Sequence, residues 1–340
     1  LTANTSGSSN TAVGTNSLIA NTTGSDNVAV GRNALDANLS GASNVAVGRD
    51  SLGANTSASF NSAFGFNALK ANTTGADNTA VGEGAMEVNI GGSFNTAMGV
   101  SALDANTTGA DNVALGTYSL SANTTAGKNT AVGRSSLSAN ITGFENVAVG
   151  SLALDANTTG IGNVAIGEAA LTTATTASYN TGVGRAALRL TTTGASNTGI
   201  GFEALKANTT GAQNVSVGAN ALTFNTTGDN NVALGIYALE DNTTADDNTA
   251  IGTTALSANT TGAKNTAVGR SSLYANTTAA DNTAVGYAAL TANTTGTGNT
   301  SVGKGSLITN TTGSTNTGIG YQALYSSNAN DNTAIGYNSF

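Results

Sequence analysis

The chain has 340 residues, only 9% of them charged and 5% aromatic, and it contains no proline, cysteine, histidine or tryptophan. Without Cys or His there is no disulfide framework, thiol nucleophile, zinc finger, haem ligand or Ser-His-Asp triad. Eleven basic against nineteen acidic residues give a net charge of −8, which argues against a phosphate-backbone binder. No apolar run approaches the roughly 18–20 residues that span a bilayer. The opening Leu1-Thr2-Ala3-Asn4 has neither a basic nor an apolar leader region, so any signal peptide is expected to have been removed or to lie outside this segment. Low hydrophobicity with abundant Gly, Ser, Thr and Asn would by itself read as disorder. The internal period overrides that reading.

Asn-x-x-apolar-Gly begins at Asn10, Asn27 and Asn44, then recurs every 17 residues to Asn316, with a last copy at Asn332. The twenty copies follow roughly N-T/V-A-V/I-G-x-x-A/S-L-x-A-N-T-T-G-x-x without a linker or change in composition. Such a unit is too short for a helix pair or propeller blade and suits one coil of a parallel β-solenoid. In the first copy, Thr11-Ala12-Val13 reads as a strand, and Gly14 ends it where a positive φ or close approach is needed. Ser17-Leu18-Ile19-Ala20 is expected to form a second short strand, and Asn21-Thr22-Thr23-Gly24 a turn. The fixed apolar columns, Val13 through Ile335 and Leu18 through Leu324, are expected to point inward. The expected fold is all-β: one continuous array over 1–340, of about twenty coils. Rungs stack about 4.8 Å apart, giving an elongated rod on the order of 95 Å long. Since the segment starts and stops without caps, it is expected to be cut from a longer chain or to stack end to end.

Two apolar side chains per coil offset little of the backbone entropy of 17 residues. Stacked amides are expected to add to them, each carboxamide donating to and accepting from its neighbours. The candidate ladder is the asparagine that opens every copy: Asn10, Asn27, Asn44, Asn61, Asn78, Asn95, Asn112, Asn129, Asn146, Asn163, Asn180, Asn197, Asn214, Asn231, Asn248, Asn265, Asn282, Asn299, Asn316 and Asn332.

The turn asparagines instead form N-glycosylation sequons, Asn-x-Ser/Thr. They are Asn4, Asn21, Asn38, Asn55, Asn72, Asn106, Asn123, Asn140, Asn157, Asn208, Asn225, Asn242, Asn259, Asn276, Asn293 and Asn310, sixteen of nineteen copies of the column. Two readings stand: an outward edge decorated with glycan, or turn chemistry in which Asn, Thr and Gly recur for conformational reasons. Ala174 and Thr191 replace Asn while Thr175-Thr176 and Thr192-Thr193 persist, so the threonines have a role of their own.

The run Asn27-Val-Ala-Val-Gly-Arg-Asn-Ala-Leu35 resembles the head repeats of YadA-like trimeric autotransporter adhesins, whose signature is N-x-[VA]-[VI]-G-x-x-[AS]. The fuller unit Asn282–Gly296 is similar to repeats of bacterial surface and phage tail-fibre proteins. The resemblance spans essentially the whole chain and implies an extracellular fibrous part, a left-handed β-roll and, in the adhesins, a homotrimer. The adhesin repeat is shorter and lacks the Asn-Thr-Thr-Gly turn.

Acidic residues precede the invariant Asn at Asp26, Asp77, Asp111, Asp247, Asp281 and Asp331, but Phe60, Lys128, Tyr179 and Lys264 share that column. A solvated face is expected there, not a metal site. Arg32, Arg49, Arg134, Arg185 and Arg270 are interrupted by Phe66, Glu83 and Glu168, a mixed surface and not a nucleic-acid track. Tyr118, Tyr237, Tyr287, Tyr321 and Tyr337 lie beside the same turn. No copy stands out as a catalytic centre, and no cofactor is expected beyond covalent glycan. The sequence therefore points to a non-enzymatic extracellular or cell-surface fibre, microbial or phage. Its expected partners are like chains, stacked end to end or as a homotrimer, and glycans. The alternatives are binding modules: a Thr-rich ice-binding solenoid, or a fibre tip recognising host glycans.

Overall fold

The computed structural model describes residues 2–340; Leu1, which the repeat places in the leucine column, lies outside the described residues. The fold is an all-β parallel β-solenoid with twenty strands of three residues and no helix among the described residues. Consequently no helix is long and apolar enough to cross a membrane. The chain divides into two compact units. The first runs to Glu168 and includes Thr173–Thr176; the second holds Ala169–Thr172 and Ala177–Phe340.

The first unit carries ten strands, β1 (Thr11–Val13) to β10 (Val164–Ile166), and the second carries β11 (Thr181–Val183) to β20 (Thr333–Ile335). Within each unit every strand pairs in parallel with the next, 17 residues on, as in Thr11↔Val28 and Thr283↔Thr300. The shortened last copy pairs Thr317 with Thr333. Each coil thus sends its amides along the solenoid axis, for instance Thr11 N–H to Asn27 O at 2.8 Å and Gly31 N–H to Val13 O at 2.8 Å.

The structure corrects two expectations about the coil. In a three-residue strand the pleat sends the middle side chain one way and its two neighbours the other. The inward residue is therefore the alanine: Ala29, Ala46 and Ala63 are fully buried, while Val13 is 56% and Met98 50% exposed. The apolar column from Val13 to Ile335 faces outward. The core of a coil is this alanine, the Ala or Ser before the leucine, the leucine itself, and two asparagines.

The second strand, expected over 17–20, is absent; this segment is a pair of tight turns. Asn16 and Leu18 both have positive φ, 63° and 46°, and the same alternation recurs in the other coils. Left-handed residues at every second position reverse the chain instead of extending it. A bulky side chain in this conformation costs about 1–2 kcal/mol, which full burial of the leucine, worth about 1.5–3 kcal/mol, offsets. The segment still bonds along the axis, with Leu18 N–H donating to Ala34 O at 3.1 Å. The residue before each opening asparagine is left-handed too, as at Asp26 (60°) and Asp281 (60°). Asp, Asn and Gly tolerate that region best, which accounts for the acidic column in conformational terms.

The invariant glycine after the strand has φ between 128° and 142°. A Cβ on Gly48 would stand 2.2 Å from the carbonyl oxygen of Gly65. Both conformation and rung contact therefore require glycine there.

Candidate functional site

The asparagine that opens each coil precedes a three-residue strand and is fully buried from Asn27 to Asn316, apart from 1% at Asn197. Its Oδ1 accepts the backbone N–H of the equivalent residue one coil on, as from Asn27 N to Asn10 Oδ1 at 3.0 Å. In many rungs it also accepts that residue's Nδ2, at 3.1 Å for the same pair. The Nδ2 group donates a second bond to a turn carbonyl, Asn27 to Gly41 O at 2.8 Å. A member of the column typically satisfies one buried main-chain donor and one buried main-chain acceptor, as Asn27 does, although Asn248 Nδ2 is buried without a partner; this pairing explains why no copy of the repeat dispenses with the residue.

The turn column is where the expectation of a glycan-bearing edge is corrected. Asn4 is exposed, but Asn21, Asn38, Asn55, Asn72, Asn106, Asn123, Asn140 and Asn157 in the first unit are fully buried. So are Asn208, Asn225, Asn242, Asn259, Asn276, Asn293 and Asn310 in the second. Their side chains form a further ladder: Asn38 Nδ2 donates to Asn21 Oδ1 at 2.8 Å and to Gly41 O at 3.0 Å. The nitrogen that would carry a sugar is committed to two hydrogen bonds inside the coil. Gly41 O receives both Asn27 and Asn38, so one turn carbonyl ties the two ladders together. A sequon states only residue types; the turn geometry tucks its first residue inward and leaves the hydroxyl residues outside.

The threonines divide accordingly. The first is partly exposed and its hydroxyl donates to the main chain of the next coil, as in Thr22 Oγ1 to Leu39 O at 2.9 Å. The second, as at Thr23, Thr74 and Thr108, is exposed. On the opposite side of the strand from the core, the outward apolar column adjoins the column of Arg, Lys and aromatic residues. Arg49 lies over the Phe66 ring at 4.2 Å from its centroid and Arg185 over Phe202 at 5.6 Å. Lys304 stands between Tyr287 and Tyr321, and Tyr321 stacks on Tyr337 with centroids 5.1 Å apart. Arg49, Arg185 and Lys304 pack on aromatic rings of neighbouring coils, and Glu83 and Glu168 share their column, so this face is mixed and not a basic track. Tyr118 and Tyr237 are exposed left-handed turn residues.

No group of three or more Asp or Glu among the described residues could hold a metal ion. The column after the leucine carries carboxylates whose titration is displaced. Asp36, Asp104 and Asp155 are pushed above the usual carboxylate range, chiefly by burial, with the neighbouring charges of Asp50 and Glu87 adding to the shift at Asp36 and Asp104 respectively.

One feature interrupts the repetition. In the column from Ile19 to Tyr325, Gly53 is the one glycine. Above it opens a cleft of about 480 Å³ lined by Asn33, Asp36, Asp50, Gly53, Ala54, Lys70, Ala71, Glu87 and Val88. Residue types alone single out no copy of the repeat as a site. Aligning the repeats by column would have exposed Gly53, but only the fold brings Asp50, three residues earlier, to the same opening.

No protein-family model matches the sequence, and no curated protein matches it.

Proposed function

We propose that the chain is a non-enzymatic structural shaft of an extracellular fibre or adhesin, which associates with like chains through its outward apolar column. The observation that carries this reading is that column. It places Val, Ile, Leu, Phe or Met on the outer surface of every coil, with exposure reaching 41% at Phe64 and 50% at Met98. Soluble monomers rarely expose contiguous apolar patches larger than a few hundred Å², so a stripe of this kind calls for a cover. A partner with the same rung spacing meets every rung alike, and another copy of the chain has that spacing. The resemblance to YadA-like head repeats supports both the surface location and the self-association. Buried turn asparagines remove N-linked sugar from the proposal at every sequon of that column except Asn4. Sedimentation of the full chain tests the association: oligomers are expected, and Val268→Glu with Val285→Glu should dissociate them. A wild-type chain that stays monomeric at high concentration would overturn the reading.

A second reading rests on a specific stretch. From β15 (Thr249–Ile251) to β20 (Thr333–Ile335), six successive strands present Thr and then Val or Ile outward, with no charged residue in either column. A regular, uncharged array of hydroxyl and methyl groups suits an ordered water layer, and hence ice. Thermal hysteresis measured on the full chain decides it, since zero activity at high concentration removes the alternative.

A further inference from the structure

The cleft over Gly53 is wholly within the first unit, and no repeated column accounts for it. Glycine is required neither by conformation nor by space at this position. Its φ is not positive, and the nearest atoms to an added Cβ are Asp36 Oδ1 and Asp50 O, both at 3.4 Å, an ordinary contact distance. The effect of the glycine is thus to leave room. Neighbours in the same column fill the corresponding place with Asp36 and Lys70.

The walls differ in chemistry. The methyl groups of Ala54, Ala71 and Val88 form an apolar side. The carboxylates of Asp36 and Asp50 line the same cleft, with Asp36 Oδ1 3.4 Å from the place a Cβ on Gly53 would take. The two cations nearby are already engaged: Lys70 Nζ lies 3.7 Å from Glu87 Oε1, and Arg49 Nε lies 3.2 Å from Asp50 Oδ2 while its guanidinium covers Phe66. Asn33 Nδ2 donates to Asp50 Oδ1 at 2.8 Å, which holds that carboxylate in place. Among the described residues no ion pair involves Asp36, although burial and the charge of Asp50 both disfavour its ionised form. The volume falls within the roughly 300–1,000 Å³ of small-molecule pockets, which combine apolar walls with a few convergent polar groups.

We infer that this cleft is a binding site for a primary ammonium on a short apolar stem. The ammonium would donate to Asp36 and Asp50, and the stem would lie over Gly53 against Ala54, Ala71 and Val88. An ammonium supplies three donors and the charge that Asp36 lacks, and the stem needs the space that any larger residue at position 53 would occupy. The inference does not rest on the shaft reading, because a shaft with or without like-chain partners could hold the ligand.

Butylammonium chloride titrated into the full chain tests it, followed by amide chemical shifts of the first unit, with 1-butanol as the neutral control. Saturable shifts centred on Gly53, Ala54 and Ala71, with a dissociation constant of about 1 mM or tighter, are expected for the ammonium and not for the alcohol. Gly53→Leu and Asp36→Asn should each weaken binding at least about tenfold. Circular dichroism of both variants establishes that they fold, and Asp36→Asn, which keeps the size of the side chain, serves if Gly53→Leu does not. Absence of saturable shifts in the wild-type chain would overturn the proposal. So would equal binding by butanol, or undiminished binding by the folded variants.

Discussion

Within each unit, the asparagines that open the coils and those in the turns both stack in buried columns, but different groups depend on them. The opening column gives its Oδ1 to a main-chain N–H of the next coil, as Asn112 does to Asn129. The turn column gives its Oδ1 to another side chain, as Asn225 does to Asn242. The first column fills all twenty copies, whereas Ala174 and Thr191 interrupt the second. A buried backbone donor has no substitute acceptor, so its partner is fixed. A side-chain ladder can lapse at one rung and resume. Tolerance to substitution therefore follows from the kind of group left unpaired, and not from burial, which the two columns share.

The widest separation between the columns and the solvent-facing residues is all-or-none. After secretion from a host with N-glycosylation machinery, the folded chain is expected to carry sugar at Asn4 alone among the turn sequons, as read by intact mass before and after enzymatic deglycosylation. Sugar on Asn72 or Asn225 in folded material would contradict the buried ladder. Next in size, Asn112→Ala removes the acceptor for Asn129 N–H and the donor to Asn95 Oδ1 and Ala126 O. Its cost should be about 3–4 kcal/mol, as an orphaned buried amide adds to lost hydrogen bonds. Asn225→Ala should cost less, about 1–2 kcal/mol, because Gly228 O still receives Asn214 and Asn242 Nδ2 still reaches Ala245 O. Hydrogen exchange, which reports opening coil by coil, compares the two; equal costs would remove the distinction. Ala174→Asn runs the experiment in reverse. Asn157 Oδ1 is buried without a partner, and a restored amide should stabilise that rung by about 1 kcal/mol, read as slower exchange.

The smallest effect concerns pH. Asp155 lies in the column after the leucine, with one buried oxygen unpaired, and burial holds its carboxyl above the ordinary range. A raised folded value means that the folded state holds the proton more tightly than the unfolded state. Stability should therefore rise as pH falls from neutral through the raised value, and be lost again as pH rises through it. Asp155→Asn should flatten this slope in thermal melts; an unchanged slope would show that the carboxyl does not contribute.

Much of the fold was legible because repetition supplies what a single unit cannot. Twenty aligned copies located the strand at Thr11-Ala12-Val13, its terminating Gly14 and the period that makes coils stack. The faces were less legible. A fixed column need not be an inward one: the column from Val13 to Ile335 is fixed and faces out. A three-residue strand is too short for alternation to reveal which parity is buried. The segment from Ser17 to Ala20 carries strand-like apolar residues, but its left-handed backbone at Leu18 has no signature in residue type, because leucine rarely adopts it. Gly53 differed from its column in plain sight, but the apolar and acidic walls around it come from residues that only the turns bring together.

By itself the sequence determined the period, the parallel stacking within the array and the absence of Cys and His chemistry, since these follow from residue identity and spacing. The tertiary structure decided which residues point inward. It turned the sequon asparagines into buried donors and the valines into a surface, because side-chain direction depends on backbone dihedrals at each turn. A three-residue motif does not encode those dihedrals; the hydrogen bonds to the neighbouring coil set them.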